Sequence, residues 1–155
     1  MHGKRHWLDA KTFALALAVL MILLLFASSL PKQPNYTIAN SSNGRSAKVY
    51  MEIAADEFSR MRGLMFRDQI IPILFTFGGP GLFPIHSHFV KYEFDAVYLS
   101  PEGKVVEIFR KVPPNTNLVS PTKVAGYLLE LPVDVFDKLK IEEGDSLTWV
   151  ELKGK

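Results

Sequence analysis

His86 and His88 stand two residues apart, and on an extended strand that spacing turns both imidazoles to one face, the arrangement of a pair of metal ligands. Glu93 follows His88 with four residues between. The three could hold a divalent transition metal if a bulge brings Glu93 onto the face of the histidines, because strand parity alone does not. The inventory works against such a site. There is no cysteine, no histidine follows His88, and the other two histidines, His2 and His6, precede a long apolar run. The competing reading is a pair of exposed histidines at the rim of a strand, with no cofactor. Asp95 is the second candidate. On a strand it shares a face with Val97 and Leu99, while Phe94, Ala96 and Tyr98 line the other, so it is expected to be partly buried. A buried carboxylate is costly unless it is paired. Arg62 and Arg67 are the expected partners, and the pairing has two readings: a structural ion pair, or a polar cleft in which Arg62, Arg67, His86 and Asp95 hold a small ligand. Nucleophilic catalysis has no support, because Ser87 points away from both histidines and has no glycine-flanked elbow. Glu93 and Asp95, about 7 Å apart on one strand face, could be drawn as a hydrolytic pair, but spacing alone is too common to carry that.

The elements that must position these residues are legible from Lys48 onward. Val49, Met51 and Ile53 alternate with Lys48, Tyr50 and Glu52 as a half-buried strand. Asp56 has the features of a helix N-cap and Gly63 of a C-terminal stop, which predicts a short helix over 56–62 with Arg60 and Arg62 in its last turn. Strands are expected at 73–77, 89–99, 105–112, 123–131 and 146–152, with a second short helix from Val133 to about Lys140. The Gly78–Gly81 loop lacks the spacing and the following helix of a phosphate loop. About six strands and two short helices imply a mainly β domain, closed as a small barrel or a sandwich, over residues 48–155.

The residues before that domain carry a different pattern. Thr12 to Leu30 contains no charge, and as a helix it would reach about 28 Å, the thickness of a bilayer core. Lys4, Arg5 and Lys11 precede it against a single acid, Asp9, while the chain from Pro31 onward has 15 Lys plus Arg and 15 Asp plus Glu. A neutral domain gives no case for nucleic-acid binding. The basic cluster instead predicts a cytoplasmic segment 1–11, a single-pass signal anchor over 12–30 embedded in the lipid bilayer, and a domain outside the cell membrane. The alternative is a secreted domain released by cleavage near Ser29, after the small residues Ala27 and Ser28. Residues 31–47, rich in Pro, Asn and Ser, read as an exposed linker. Asn35 and Asn40 open Asn-x-Ser/Thr triplets and are candidate glycosylation sites.

Several segments in order resemble the family catalogued as domain of unknown function 192. They are Arg62-Gly63-Leu64-Met65-Phe66-Arg67, Leu74-Phe75, an aromatic strand leading to Asp95, a Gly103-centred hairpin with Val105-Val106, Val112-Pro113-Pro114, Tyr127 to Pro132, and Glu143-Gly144-Asp145. His86, nine residues before Asp95, is similar to the archaeal branch of that family. The resemblance runs from Val49 to about Glu151 and implies a compact β-barrel-like domain, often exported or anchored, with no established activity. Ser87, His88 and Glu93 depart from the pattern. The run His86-x-His88-x4-Glu93 also looks like the first metal motif of cupin-type jelly rolls, which would require a further histidine that this chain does not supply. The sequence therefore points to a membrane-anchored binding or interaction module for a small ligand, a glycan or an envelope protein rather than an enzyme. A metal-dependent enzyme built on His86, His88 and Glu93 is the alternative.

Overall fold

The computed structural model describes residues 10–29 and 32–153 and separates into two compact units, Met1–Lys32 and Gln33–Lys155. The first unit contributes one helix, α1 (Ala10–Ser29). Among the described residues no helix is long and apolar enough to cross a membrane. The expected signal anchor over 12–30, and the single-pass membrane location drawn from it, are corrected on that ground. Lys4, Arg5 and Asp9, which supported the topology, lie outside the described residues, as do Leu30 and Pro31 just past the suggested cleavage point.

The second unit holds eight strands and two helices: β1 (Tyr36–Asn40), β2 (Arg45–Val49), β3 (Glu52–Ala54), α2 (Glu57–Arg62), β4 (Ile73–Gly81), β5 (Phe94–Leu99), β6 (Val105–Val112), β7 (Ala125–Leu131), α3 (Val133–Leu139) and β8 (Leu147–Glu151). They form a three-stranded sheet in the order β2-β1-β8 and a five-stranded sheet in the order β3-β4-β7-β5-β6. Only β3 and β4 run parallel. The mainly β character is as expected, but among the described residues the strands form no closed barrel. The larger sheet ends at β3 and β6, and the smaller at β2 and β8, so strand pairing leaves edges rather than a closed ring.

β1 and most of β2 come from the segment that reads as a linker, and the single strand expected from Lys48 is divided between β2 and β3. β1 and β2 form a hairpin pairing Tyr36 with Val49 through Asn40 with Arg45. Its turn ends at Asn43-Gly44, where Gly44 takes the left-handed backbone (φ 74°) that glycine adopts without strain. Composition hides this hairpin because its inward positions are Ile38, Asn40, Ala47 and Val49, only two of them large and apolar. Both candidate glycosylation asparagines make hydrogen bonds within the fold. Asn40 is fully buried, and its Nδ2 donates to Asp145 Oδ2 at 2.7 Å and to Leu139 O at 3.3 Å. The Nδ2 of Asn35 donates to Met51 O at 3.0 Å while its Oδ1 accepts from Met51 N at 2.7 Å. A glycan on Asn40 is incompatible with this packing.

The five-stranded sheet is covered on both faces, which is why all six residues of β5 are buried. On one face Val97, Leu99, Leu129 and Leu131 pack with Ile38, Leu147 and the α3 residues Phe136 and Leu139. On the other, Phe94, Ala96, Tyr98 and Leu128 pack with Phe75 of β4 and with Leu64, Ile71 and Val90 from the irregular segments around α2 and before β5. Gly103 ties the β5–β6 turn to β8. Its φ is +82°, and a Cβ there would lie 2.6 Å from Leu147 O. Gly103→Ala is expected to destabilise the domain by about 3 kcal/mol, combining left-handed strain with a clash against backbone. Gly44→Ala, which shares the left-handed backbone but meets nothing within 4 Å, is the control and is expected to cost about 1 kcal/mol in the same thermal melts.

Candidate functional site

Alternation along β7 sends Leu129 and Leu131 to the α3 side and Leu128 and Glu130 to the α2 side. Glu130 thus sits in the middle of the sheet, directly between Ile73 of β4 and Ala96 of β5, with apolar neighbours on both flanking strands. What covers it is the turn after α2. Asp56 starts that helix with a capping box: Ser59 N donates to Asp56 Oδ1 at 2.9 Å and Asp56 N donates to Ser59 Oγ at 3.2 Å. The bonds that its carboxyl accepts from Ser59 N and from Ser59 Oγ hold Asp56 below the ordinary carboxylate range. Gly63 ends the helix at φ 42°, and its N–H donates to Ser59 O.

The two arginines of the Arg62–Arg67 motif fix this turn to the sheet edge. Arg67 Nε donates to Gly63 O at 2.9 Å, and its Nη1 and Nη2 clasp both oxygens of Glu52 on β3 at 3.1 and 2.6 Å. Arg62 Nη2 reaches the same carboxylate at 3.0 Å. Arg60 Nη1 donates to Thr76 O on β4 at 3.1 Å.

Between this turn, β4, β7 and the segment before β5 lies a cavity of about 430 Å³. Its body is apolar, with Leu64, Phe75, Phe83, Phe94 and Leu128 on the walls and Met61 exposed at the mouth. Its polar groups are Arg60, Arg62 and His86, and Glu130. Glu130 is 4% exposed, and its Oε2 has no hydrogen-bond partner. Burial pushes its pKa up to about 8, against the opposing pull of the Arg67 charge. At neutral pH the carboxyl is therefore mainly protonated, a hydrogen-bond donor in an apolar setting. The Tyr98 hydroxyl, which donates to Phe83 O at 2.8 Å, is held well above its ordinary pKa by burial and then by the charge of Glu130.

Next to the mouth an aromatic pair stands in solvent. Phe66 and Phe89 stack with ring centroids 4.8 Å apart, and Phe66 N donates to Phe89 O at 3.0 Å. Both have left-handed backbones (φ 60° and 59°), a conformation that costs each about 1 kcal/mol. Their sequence neighbours Met65 and Val90 line the cavity.

Of the residues singled out in the sequence, Arg62 and His86 line the cavity, Arg67 supports it through Glu52, and Asp95 lies elsewhere. Asp95 is fully buried, as its strand implied, but its partners are not Arg62 or Arg67. Its Oδ1 accepts from Arg110 Nε at 2.8 Å and from Lys111 N at 2.7 Å. Strand parity is the reason: Asp95 faces α3 with Val97 and Leu99, whereas α2 and its arginines lie on the face of Ala96. The acid on the arginine side is Glu130, the cross-strand partner of Ala96. Sequence reasoning passed over it, although the signal was present. Glu130 lies between Leu129 and Leu131 in a strand apolar on both faces, the same argument that drew attention to Asp95.

The metal alternative does not assemble. Residues 86–93 are irregular, with β5 beginning only at Phe94, so the same-face geometry of a strand does not apply to His86 and His88. The two rings lie 5.0 Å apart, with His88 N donating to His86 Nδ1 at 3.4 Å. Among the described residues, no three His, Asp or Glu side chains gather in a way that could hold a metal ion.

The family model of domain of unknown function 192, described as Uncharacterized ACR, matches residues 38–149. A UPF0127 protein of Pyrococcus abyssi is 30% identical over 115 residues, covering 73% of this chain and 97% of its own. One from Thermococcus kodakarensis is 29% identical over 116 residues, covering 72% of each. A crystal structure of a Sinorhizobium meliloti protein superposes with a TM-score of 0.67 at 23% identity, over 76% of this chain and 94% of that one, a likeness of fold. With the family model reaching into all eight strands and covering every residue of the cavity, this chain belongs to the domain of unknown function 192 family.

Proposed function

We propose that the folded unit is a binding module for a small, mostly apolar molecule that enters the cavity between α2 and the five-stranded sheet. One observation carries this reading: a buried carboxyl, Glu130, keeps an unpartnered oxygen in a cavity whose remaining walls are largely aromatic and aliphatic. Buried polar atoms are nearly always satisfied, and an unsatisfied one costs about 1–3 kcal/mol unless a partner arrives. The volume of about 430 Å³ lies within the range of small-molecule sites, roughly 300–1,000 Å³. Walls this poor in polar groups suit a hydrocarbon or arene better than a glycan, whose hydroxyls would go unpaired.

The reading is tested with 4-phenylbutanol, a neutral probe of suitable size, titrated into the full chain while the methyl resonances of Met61, Met65 and Leu128 are followed by NMR. Saturable shifts at these methyls are expected. Met61→Trp, a substitution at an exposed position of the mouth, is expected to weaken the response at least ~10-fold by occupying the entrance. Shifts that do not saturate, or that the tryptophan leaves unchanged, would count against a ligand site here.

A further inference from the structure

The headgroup chemistry of the ligand can be read from the groups around Glu130. Charged and titratable side chains come from each covering element: Arg60 and Arg62 on α2 and His86 from the segment before β5 line the cavity, while Arg67 in the turn beyond α2 and Tyr98 on β5 couple to Glu130 from outside it. The β4 residues of the cavity wall, Phe75 and Phe77, carry no charge. Three guanidiniums thus surround the site against one carboxylate, Glu52, which Arg62 and Arg67 share. A cationic ligand would enter against this field, whereas an anionic one is drawn by it. An anion would also need a donor inside the cavity, and Arg67 is turned away from it, both its Nη groups engaged by Glu52 and its Nε by Gly63 O.

We propose that the cavity takes a small apolar carboxylate, its alkyl or aryl body against Leu128, Phe75, Phe83 and Phe94, and one carboxylate oxygen accepting a hydrogen bond from the protonated Oε2 of Glu130. This rests on the reading of the cavity as a ligand site and adds the headgroup. The proton stays on Glu130 and no covalent step is involved. A neutral carboxylic acid in an apolar pocket is an established way of donating to an oxyanion. Because burial pushes the Glu130 pKa up to about 8, this donor is present at neutral pH and is lost in mild alkali.

The test compares 4-phenylbutyrate, 4-phenylbutylamine and 4-phenylbutanol by methyl NMR on the full chain at pH 7 and pH 9. The butyrate is expected to bind more tightly than the amine at pH 7, and to weaken about tenfold by pH 9 as Glu130 ionises. Glu130→Gln keeps a donor that does not titrate, so it is expected to remove that pH dependence. His86→Ala, at the mouth, is expected to leave it in place. Tighter binding of the amine, or a pH dependence that follows His86 rather than Glu130, would overturn the headgroup inference while leaving the ligand site standing. Failure of all three probes to bind would overturn the ligand site, and this inference with it.

Discussion

Glu130→Gln is expected to flatten the dependence of stability on pH and to leave the domain several kcal/mol more stable than the wild type at pH 9. The folded-state pKa, about 8, lies above the ordinary glutamate value of 4.5 because the carboxyl is buried between Ile73 and Ala96. Between those two values only the folded chain holds the proton, so unfolding releases it and stability falls as pH rises. Below pH 4.5 both states are protonated and the penalty is absent. Above about 8 both are ionised and the penalty is complete, roughly 5 kcal/mol over the window at ~1.4 kcal/mol per pH unit. A typical domain has about 5–15 kcal/mol in all, so this single group would weigh heavily on alkaline stability. Glutamine resembles the protonated acid in shape and charge. The two proteins should therefore match near pH 4 and diverge toward pH 9 in urea titrations. Parallel curves across that range would mean that Glu130 is solvated or paired in the folded state. A wild-type chain that retains so costly a group suggests a use for it, and the carboxylate-binding role gives one.

Asp95→Ala should have the opposite sign, destabilising by about 3 kcal/mol near neutral pH. Asp95 holds an irregularity in the β5–β6 pairing, where register shifts between Phe94 and Ala96 and Lys111 takes a left-handed backbone at φ 50°. Its Oδ1 accepts from Lys111 N at that irregularity and from Arg110 Nε. Arg110 in turn lies over the Phe136 ring at 3.9 Å and pairs with Asp137 at 2.7 Å, so the same carboxylate helps dock α3. Arg110 is 41% exposed, and water would replace most of what it loses. The cost is therefore assigned mainly to Lys111 N–H and to the space left beneath the strand. Asp95→Asn retains an acceptor for that N–H and is expected to recover about half of the loss. Neither variant should change probe binding in the cavity, because Asp95 faces the other side of the sheet. An alanine variant within 1 kcal/mol of wild type in urea titrations would show that the irregularity holds without the acid.

These two acids mark where local pattern stops being informative. Each lies in a strand that is apolar on both faces, and that pattern alone implied that β5 is covered on both sides and that Asp95 is buried. The Asp56 cap, the Gly63 stop and the second short helix were equally legible, because capping and helical spacing are set by residues within one or two turns. So was the family, carried by short motifs in fixed order. The β1–β2 hairpin was not, because its buried positions include Asn40, whose Nδ2 donates to Asp145 and to the end of α3 about a hundred residues away. Closure into a barrel was not decided locally either, since pairing at sheet edges depends on partners that no single segment specifies. By itself the sequence determined the strands from β4 onward, the two short helices that follow Asp56 and Pro132, and the burial of Asp95. Tertiary structure alone decided that the arginines of the Arg62–Arg67 motif lie on the Glu130 side of the sheet rather than on that of Asp95. One step along a strand reverses the face, and only the register of β5 on β7 says which acid meets which side.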